Sequence, residues 1–382
     1  MANLLNSNTR RSVDRRSFMR SGLLAGGAAT VGVGLLSNAT SAGAQERVPG
    51  GRLNPGDAAI LRFLAAAELI ESDLWIQYAE LGGIGDDQPI EVNPNPSPAL
   101  NPYQVALSNL DGDGPQYISS NTLDEVSHAA FLNAYLESRG AEPVDFDEFR
   151  TLNGSTATGS SGIGRLTNLM HLNVDTSWFV RYRSASNPDF GVTYPQAITL
   201  KNVAAIPTSD ADLNNPNPNH MQAVANTAGF HFGYIEQGGS SLYAAMSQKV
   251  TDPEVLAITL GIGGDEVAHF LEWVDFAGNG VQQPVAPFSD PVSGLTFPDF
   301  FNNPPLTPAN LVQPSLIFPV PCEFINARLP KVAIIRPLTD RFGGAVATIA
   351  SFIADGLFVG QSKKFLNLLN LMAFEADAAI RF

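Results

Sequence analysis

Two short stretches constrain this chain more than any other part of it: Asp124-Glu125-Val126-Ser127-His128 and Asp265-Glu266-Val267-Ala268-His269. In each, a glutamate precedes a histidine by three residues, so on a helix the carboxylate and the imidazole project from one face. An apolar helical run follows each pair, Ala129-Ala130-Phe131-Leu132 in the first and Phe270-Leu271 in the second. A single pair of this kind is weak evidence, because the same spacing occurs on solvated helices. Here the pair recurs, and a further glutamate lies in an apolar helical pattern ahead of each: Glu68 in Ala66-Ala67-Glu68-Leu69 and Glu236 in Tyr234-Ile235-Glu236-Gln237. The order along the chain is Glu, Glu-x-x-His, Glu, Glu-x-x-His. A bundle of four helices that holds two metal ions needs that set of side chains.

The first 44 residues read as a targeting segment. Arg15-Arg16-Ser17-Phe18-Met19-Arg20 resembles the twin-arginine export motif, and a Gly/Ala-rich apolar run follows from Gly22 to about Leu36. Ala42-Gly43-Ala44 has the small-x-small form of a cleavage site, which makes Gln45 the expected mature N-terminus and the protein periplasmic or secreted. A retained membrane anchor is the alternative; the run is short and Gly-rich for that. The twin-arginine route carries folded proteins, which suits a metal site loaded before export. The leader holds five Arg and one Asp, so losing its +4 takes the formal charge from −15 to −19. So acidic a chain is a poor nucleic-acid binder and a good attractor of cations. No later apolar run is long enough to cross a bilayer, so no span is expected in the mature chain. Cys322 is the only cysteine, so no internal disulfide holds the core together.

Three- and four-residue steps through Ile60, Leu64, Ala67, Glu71, Leu74 and Tyr78 predict a helix over 57–81, ended by Gly82-Gly83. Glu71 lies in this stripe and Glu68 adjoins it, so either could face the core; Trp75, two turns after Glu68, favours Glu68. Residues 84–115, with Asn93-Pro94-Asn95-Pro96-Ser97-Pro98, read as a loop, and Asp111-Gly112-Asp113-Gly114 as a tight acidic turn. A second helix is expected over about 117–139, with Glu125 and His128 on it. The mixed stretch 141–218 is long enough to cross a bundle from end to end. Within it, Gly154 to Gly164 reads as mobile, and 166–183 as a helix carrying a non-ligand His171. The third helix, about 220–248, carries Glu236, with His231 off its face as a packed imidazole. The fourth runs from Asp252-Pro253-Glu254 to about Phe276. Gly261, Gly263 and Gly264 inside it predict a close helix approach, a bulge or a break, each Gly costing roughly 1 kcal/mol relative to Ala. Residues 277–342 are Pro-rich, with short apolar runs such as Ser315-Leu316-Ile317-Phe318, and read as a wrapping segment. From Gly343 the chain is helical again, interrupted near Gly356 and Gly360. Phe365, Leu366, Leu368, Leu369, Met372 and Phe374 there form a core-like face that packs on the bundle or joins two copies of the chain.

The combined pattern resembles the ferritin-like superfamily of di-iron carboxylate proteins, and within it the exported members related to plant desiccation-related proteins. The resemblance covers residues 57–276 through the four motifs. It implies an all-α, antiparallel four-helix bundle with one long crossover. The expected division is a leader at 1–44, the bundle at 45–280, and a Pro-rich and helical extension at 281–382. It also implies that Glu68 and Glu236 are the first- and third-helix ligands, that Glu125–His128 and Glu266–His269 are the paired ligands, and that Glu125 and Glu266 bridge two metals. The long loops argue against a closed storage cage. Two dications would balance four carboxylates that are costly to bury together, and carboxylate with imidazole suits iron or manganese. Two functional classes follow. One is an oxidoreductase of iron or small oxidants such as peroxide. The other is a metal-free or metal-storing protective scaffold of the stress-related kind, whose carboxylates stay partly protonated.

Overall fold

Asn54 accepts a hydrogen bond from the Asp57 amide and Pro55 takes the first helical position, so helix α1 (Pro55–Gly82) begins slightly ahead of the expected start. The computed structural model describes residues 51–84, 100–182, 184–186, 190–278, 287–298, 318–335 and 343–379, which are mostly helical with little strand. The leader with its cleavage site, the Asn93–Pro98 run and Ser315–Ile317 lie outside the described residues.

The stretch expected to be one loop contains a helix, α2 (Pro102–Leu110). Asn101 and Gln104 form a reciprocal capping box around Pro102, and Tyr103, Ala106, Leu107 and Leu110 bury one face. The prolines just before it hid this short amphipathic turn. Asp111–Asp113 is the expected tight turn, with the Asp113 amide donating to Asp111 Oδ1 at 3.1 Å. Helix α3 (Gly114–Ser138) follows.

Among its described residues the crossover contains a 3-10 turn (Asp147–Phe149) and two short helices, α4 (Trp178–Arg181) and α5 (Asp210–Leu213). The helix expected over 166–183 is therefore mostly absent. Its amides go elsewhere: those of Leu166 and Thr167 donate to Asp73 Oδ2 at 3.0 and 2.9 Å, and Leu172 pairs with Val203 as an isolated bridge. Long-range partners outcompete the helix for the same donors. His171 lies outside any helix and faces Asn202 Oδ1 at 3.0 Å. The Gly154–Gly164 stretch, expected to be mobile, is closed at its base by a Leu152–Arg165 bridge and tied to α1 where the buried Arg165 pairs with Glu80.

Helices α6 (Pro218–Ser247) and α7 (Pro253–Gly278) are both unbroken. In α7, Gly263 is required by close approach, since a Cβ there would lie 2.7 Å from the Tyr243 Cβ; nothing among the described residues explains Gly261 or Gly264, where an added Cβ would meet no described atom within 4 Å. A two-residue hairpin, β1 (Phe288–Ser289) with β2 (Thr296–Phe297), is the described strand structure of the Pro-rich segment. Helix α8 (Ala345–Asp355) stops at Gly356, in the left-handed conformation at φ +86°, and α9 (Lys363–Ala378) starts on a Ser362 cap.

Helix α1 packs along α3, and α6 along α7; α2 lies on α6, and α9 on α1. Phe365, Leu369 and Met372 of α9 are buried, whereas Phe374 is 66% exposed and is not part of the core. Between the two helix pairs lies an aromatic layer of Trp75, Tyr78, Phe232, Trp273 and Phe276. The buried Asp57 carboxylate accepts from the Thr251 and Asp252 amides, both at 2.9 Å, which locks the start of α1 to the start of α7.

His220, at the start of α6, sits between Asp290 (Nδ1 to Oδ2, 3.0 Å) and Asp212 (Nε2 to Oδ1, 3.1 Å). With a carboxylate on each nitrogen, both nitrogens must donate, which requires the imidazolium. Burial opposes that charge, but the hydrogen bonds to Asp290 and Asp212 outweigh it and raise the pKa. The stability this gives is fully present below the ordinary histidine value of about 6.5 and is lost as pH rises through the raised folded value. Melting temperatures of wild type and His220→Gln should therefore converge as pH rises above about 6.5. A gap that stays constant with pH would contradict the clasp.

Candidate metal centre

Each long helix brings one part of the site to the interior. Helix α1 supplies Glu68, α3 Glu125 and His128, α6 Glu236, and α7 Glu266 and His269. All six side chains are buried. They fall into two groups that could each hold a metal ion. One is Glu68, Glu125, His128 and Glu266, and the other is Glu125, Glu236, Glu266 and His269; within each group the ligand atoms lie within 4.8 Å of one another. Glu125 and Glu266 belong to both groups. Glu71 is buried as well but supplies no atom to either group, so of the two α1 candidates Glu68 is the one in the cluster.

Both imidazoles turn Nδ1 inward. His128 Nδ1 lies 3.4 Å from Glu68 Oε2 and 3.3 Å from Glu125 Oε2. His269 Nδ1 lies 3.1 Å from Glu125 Oε1 and 3.3 Å from Glu236 Oε2. The outward Nε2 atoms meet aspartates in a crossed pattern. Asp265 Oδ2 of α7 is 3.2 Å from His128 of α3, and Asp124 Oδ2 of α3 is 3.3 Å from His269 of α7. Neutral imidazole carries one proton, so a carboxylate at Nε2 fixes the proton there and leaves Nδ1 free as a donor to metal. Asp124, Asp265 and His269 also lie close enough to hold a cation among themselves. That would need Nε2 bare and would undo the orientation of the ring, so the aspartates are better read as positioning groups.

A second pair of contacts repeats the symmetry. Trp75 lies seven residues after Glu68, yet its indole N–H donates to Glu236 Oε1 at 2.9 Å. Tyr243 lies seven residues after Glu236, and its hydroxyl donates to Glu68 Oε1. Each of these glutamates thus has one oxygen fixed by an aromatic donor from the opposite helix. The remaining oxygens are short of partners: among the described residues the buried Glu68 Oε2, Glu125 Oε1 and Glu236 Oε2 face only the inward imidazole nitrogens, and both buried oxygens of Glu266 make no hydrogen bond. Leaving buried carboxylate oxygens unsatisfied costs folding free energy, and such atoms call for an ion.

The electrostatics agree. Burial first, and repulsion from Glu68 second, push Glu125 up to about 8 although His128 and His269 pull it back. Burial and the neighbouring carboxylates hold Glu266 and Glu71 well above the ordinary range. Burial opposes a charge on His128, but hydrogen bonds to Glu125 and Glu68 outweigh it and raise the imidazole to about 10. His269 is raised too, against burial, by Asp124, Glu125 and Glu236. Without cations, the cluster retains protons.

Asp124, Asp265 and Tyr243 were not singled out from the sequence. The aspartates had a signal, since one stands directly before each Glu-x-x-His glutamate; Tyr243 had only its seven-residue offset. A glycine also shapes the site. A Cβ on Gly239 of α6 would overlap the Glu266 carboxylate. Gly239→Ala should therefore displace Glu266, destabilise the protein by about 1–3 kcal/mol through overpacking, and weaken metal binding. Parallel unfolding and metal titrations check this; a variant with unchanged affinity would contradict the placement.

No family model matches the chain, and neither a curated protein nor a solved structure does. Fold and site together define a mostly helical protein with buried glutamate and histidine clusters able to hold a metal ion.

Proposed function

We propose that this is an exported ferritin-like protein. Its four long helices form a bundle in which Glu68, Glu125, His128, Glu236, Glu266 and His269 would hold two metal ions, iron or manganese, with Glu125 and Glu266 common to both ligand groups. Its activity is the oxidation of iron(II) or the removal of peroxide. The observation that carries this reading is the pair of four-residue groups sharing those two glutamates, with both buried oxygens of Glu266 left without a hydrogen bond among the described residues. Glu68, Glu125, Glu236 and Glu266, once deprotonated, count −4 against two dications, and Glu71 supplies no atom to either group. Hard oxygen ligands with two imidazoles suit iron and manganese. Bound there, such ions would supply or accept the electrons that oxidant chemistry needs.

The chain's own part is to hold and shield. Trp75 and Tyr243 fix one oxygen of each terminal glutamate, and Asp124 and Asp265 fix the two rings. The side chains of the two aspartates are 45% and 44% exposed, so the histidine side of the site faces outward, as metal ions or small oxidants would require. Asp124→Asn and Asp265→Asn should each weaken metal binding about 10–100-fold, the usual effect of losing such a partner. Calorimetric titration with manganese(II) measures it, and an unchanged affinity would contradict the positioning role.

A second reading is a protective scaffold without turnover. It is favoured by His128 and His269, whose raised pKa values let the cluster carry part of its own counter-charge without metal. Elemental analysis of protein purified by its native export route separates the two, followed by peroxide and iron(II) consumption assays. Iron or manganese with turnover supports the first; absence of metal supports the second.

A further inference from the structure

The stretch 322–332 is a loop closed at its base by an isolated bridge. The Cys322 amide donates to the Val332 carbonyl and the Val332 amide to the Cys322 carbonyl, both at 3.0 Å. Cys322 is buried, but the loop beyond it lies open to solvent. Ile325 is 73% exposed, Leu329 54% and Phe324 37%. The loop is nonetheless shaped by its own hydrogen bonds. The Leu329 amide donates to the Asn326 carbonyl and the Arg328 amide to Asn326 Oδ1, each at 2.9 Å. Ile325 adopts φ +61°. Two costs meet at that residue. The left-handed backbone is unfavourable for a β-branched side chain, and water is an unfavourable surrounding for it. Strain of this kind is characteristic of functional segments.

Arg328 and Lys331 are exposed among these apolar groups, and Glu323 is the acidic residue of the stretch. Two basic residues against one acidic leave the loop at +1, in a chain whose formal charge is −15. We propose that the loop 322–332 docks the protein on an anionic lipid surface. Phe324, Ile325 and Leu329 would lie at the boundary between headgroups and acyl chains, with Arg328 and Lys331 against the headgroup phosphates. Apolar burial and attraction of basic side chains are the two terms that hold a protein at such a surface. An anionic surface repels the acidic remainder of the chain, so the loop sets the orientation. Repulsion of charges farther than about 8 Å from the surface is screened at physiological salt. A protein partner fits less well. A stable protein interface takes about 800 Å² from each side, more than one short loop offers, whereas a bilayer surface demands no matching shape.

The test uses protein purified through its native export route and sedimented with vesicles. Binding is expected to vesicles of equal phosphatidylglycerol and phosphatidylcholine in 0.1 M salt, and not to phosphatidylcholine alone. Arg328→Gln with Lys331→Gln should weaken it about thirtyfold, roughly fivefold for each basic residue lost. Ile325→Gly should weaken it about tenfold, the loss expected when one large aliphatic side chain no longer leaves water. Its melting temperature should be no lower than that of wild type, because glycine takes φ +61° without strain. Trp75, Trp178 and Trp273 are all buried, so Leu329→Trp adds an exposed indole whose emission should shift to the blue with the anionic vesicles alone. Absence of binding by wild type, equal binding to neutral vesicles, or binding undiminished in both loop variants overturns the proposal. So does self-association in sedimentation velocity without lipid that is lost in Ile325→Gly, which would place a second copy of the chain on the loop.

Discussion

Melting temperature should fall as pH rises in the metal-free protein and rise with pH in the metal-loaded one. The sign follows from the raised pKa values. Glu125 takes up its proton at about 8 in the folded state, against an ordinary glutamate value of about 4.3. Between those values the folded protein binds a proton that the unfolded chain has released, so stability falls with increasing pH. His128, raised to about 10, contributes stability that is complete below about 6.5 and is lost on the way to 10. Glu266 and His269 act in the same direction. Metal ions bind the deprotonated groups and release those protons, so loading becomes more favourable as pH rises. Scanning calorimetry of both forms from pH 5 to 9 measures the two slopes. Parallel slopes would mean that protons and metal do not compete for these side chains.

Glu125→Ala combined with Glu266→Ala should abolish stabilisation by metal. A ligand that binds only the folded state adds about 2.7 kcal/mol at a hundredfold excess over its dissociation constant. For a chain of this size that is roughly 4 °C per bound ion. The two glutamates are common to both ligand groups, so removing them dismantles both sites at once. A variant lacking only Asp124 and Asp265 keeps every inward ligand and should retain a reduced shift. Full retention of the shift in the Glu125/Glu266 double variant would place the metal elsewhere.

The convergence of the six residues was legible because chemistry fixes both residue type and spacing along one helix. Glu125 and His128 share a face by helix geometry alone. What escaped depends on packing between elements far apart in sequence. Trp75 follows Glu68 by seven residues but holds Glu236, 161 positions away, because the helices interleave their aromatic side chains. The crossover was misread for the same reason. Residues 166–172 have a helical composition, but Asp73 and Val203 take their amides. Helix α2 was missed because its capping box is only four residues long and prolines precede it. The choice between Glu68 and Glu71 could not be made from periodicity, since both are buried and the distinction lies in which carboxylate reaches the cluster.

The central claim is that the six residues hold a pair of metal ions. Anomalous diffraction at the iron and manganese edges, from crystals of protein purified through its native export route, tests it most directly. Two peaks are expected about 3.5–4 Å apart. One should lie among Glu68, Glu125, His128 and Glu266, and the other among Glu125, Glu236, Glu266 and His269. No peak in the interior, or a single peak at Asp124 and Asp265, would contradict it.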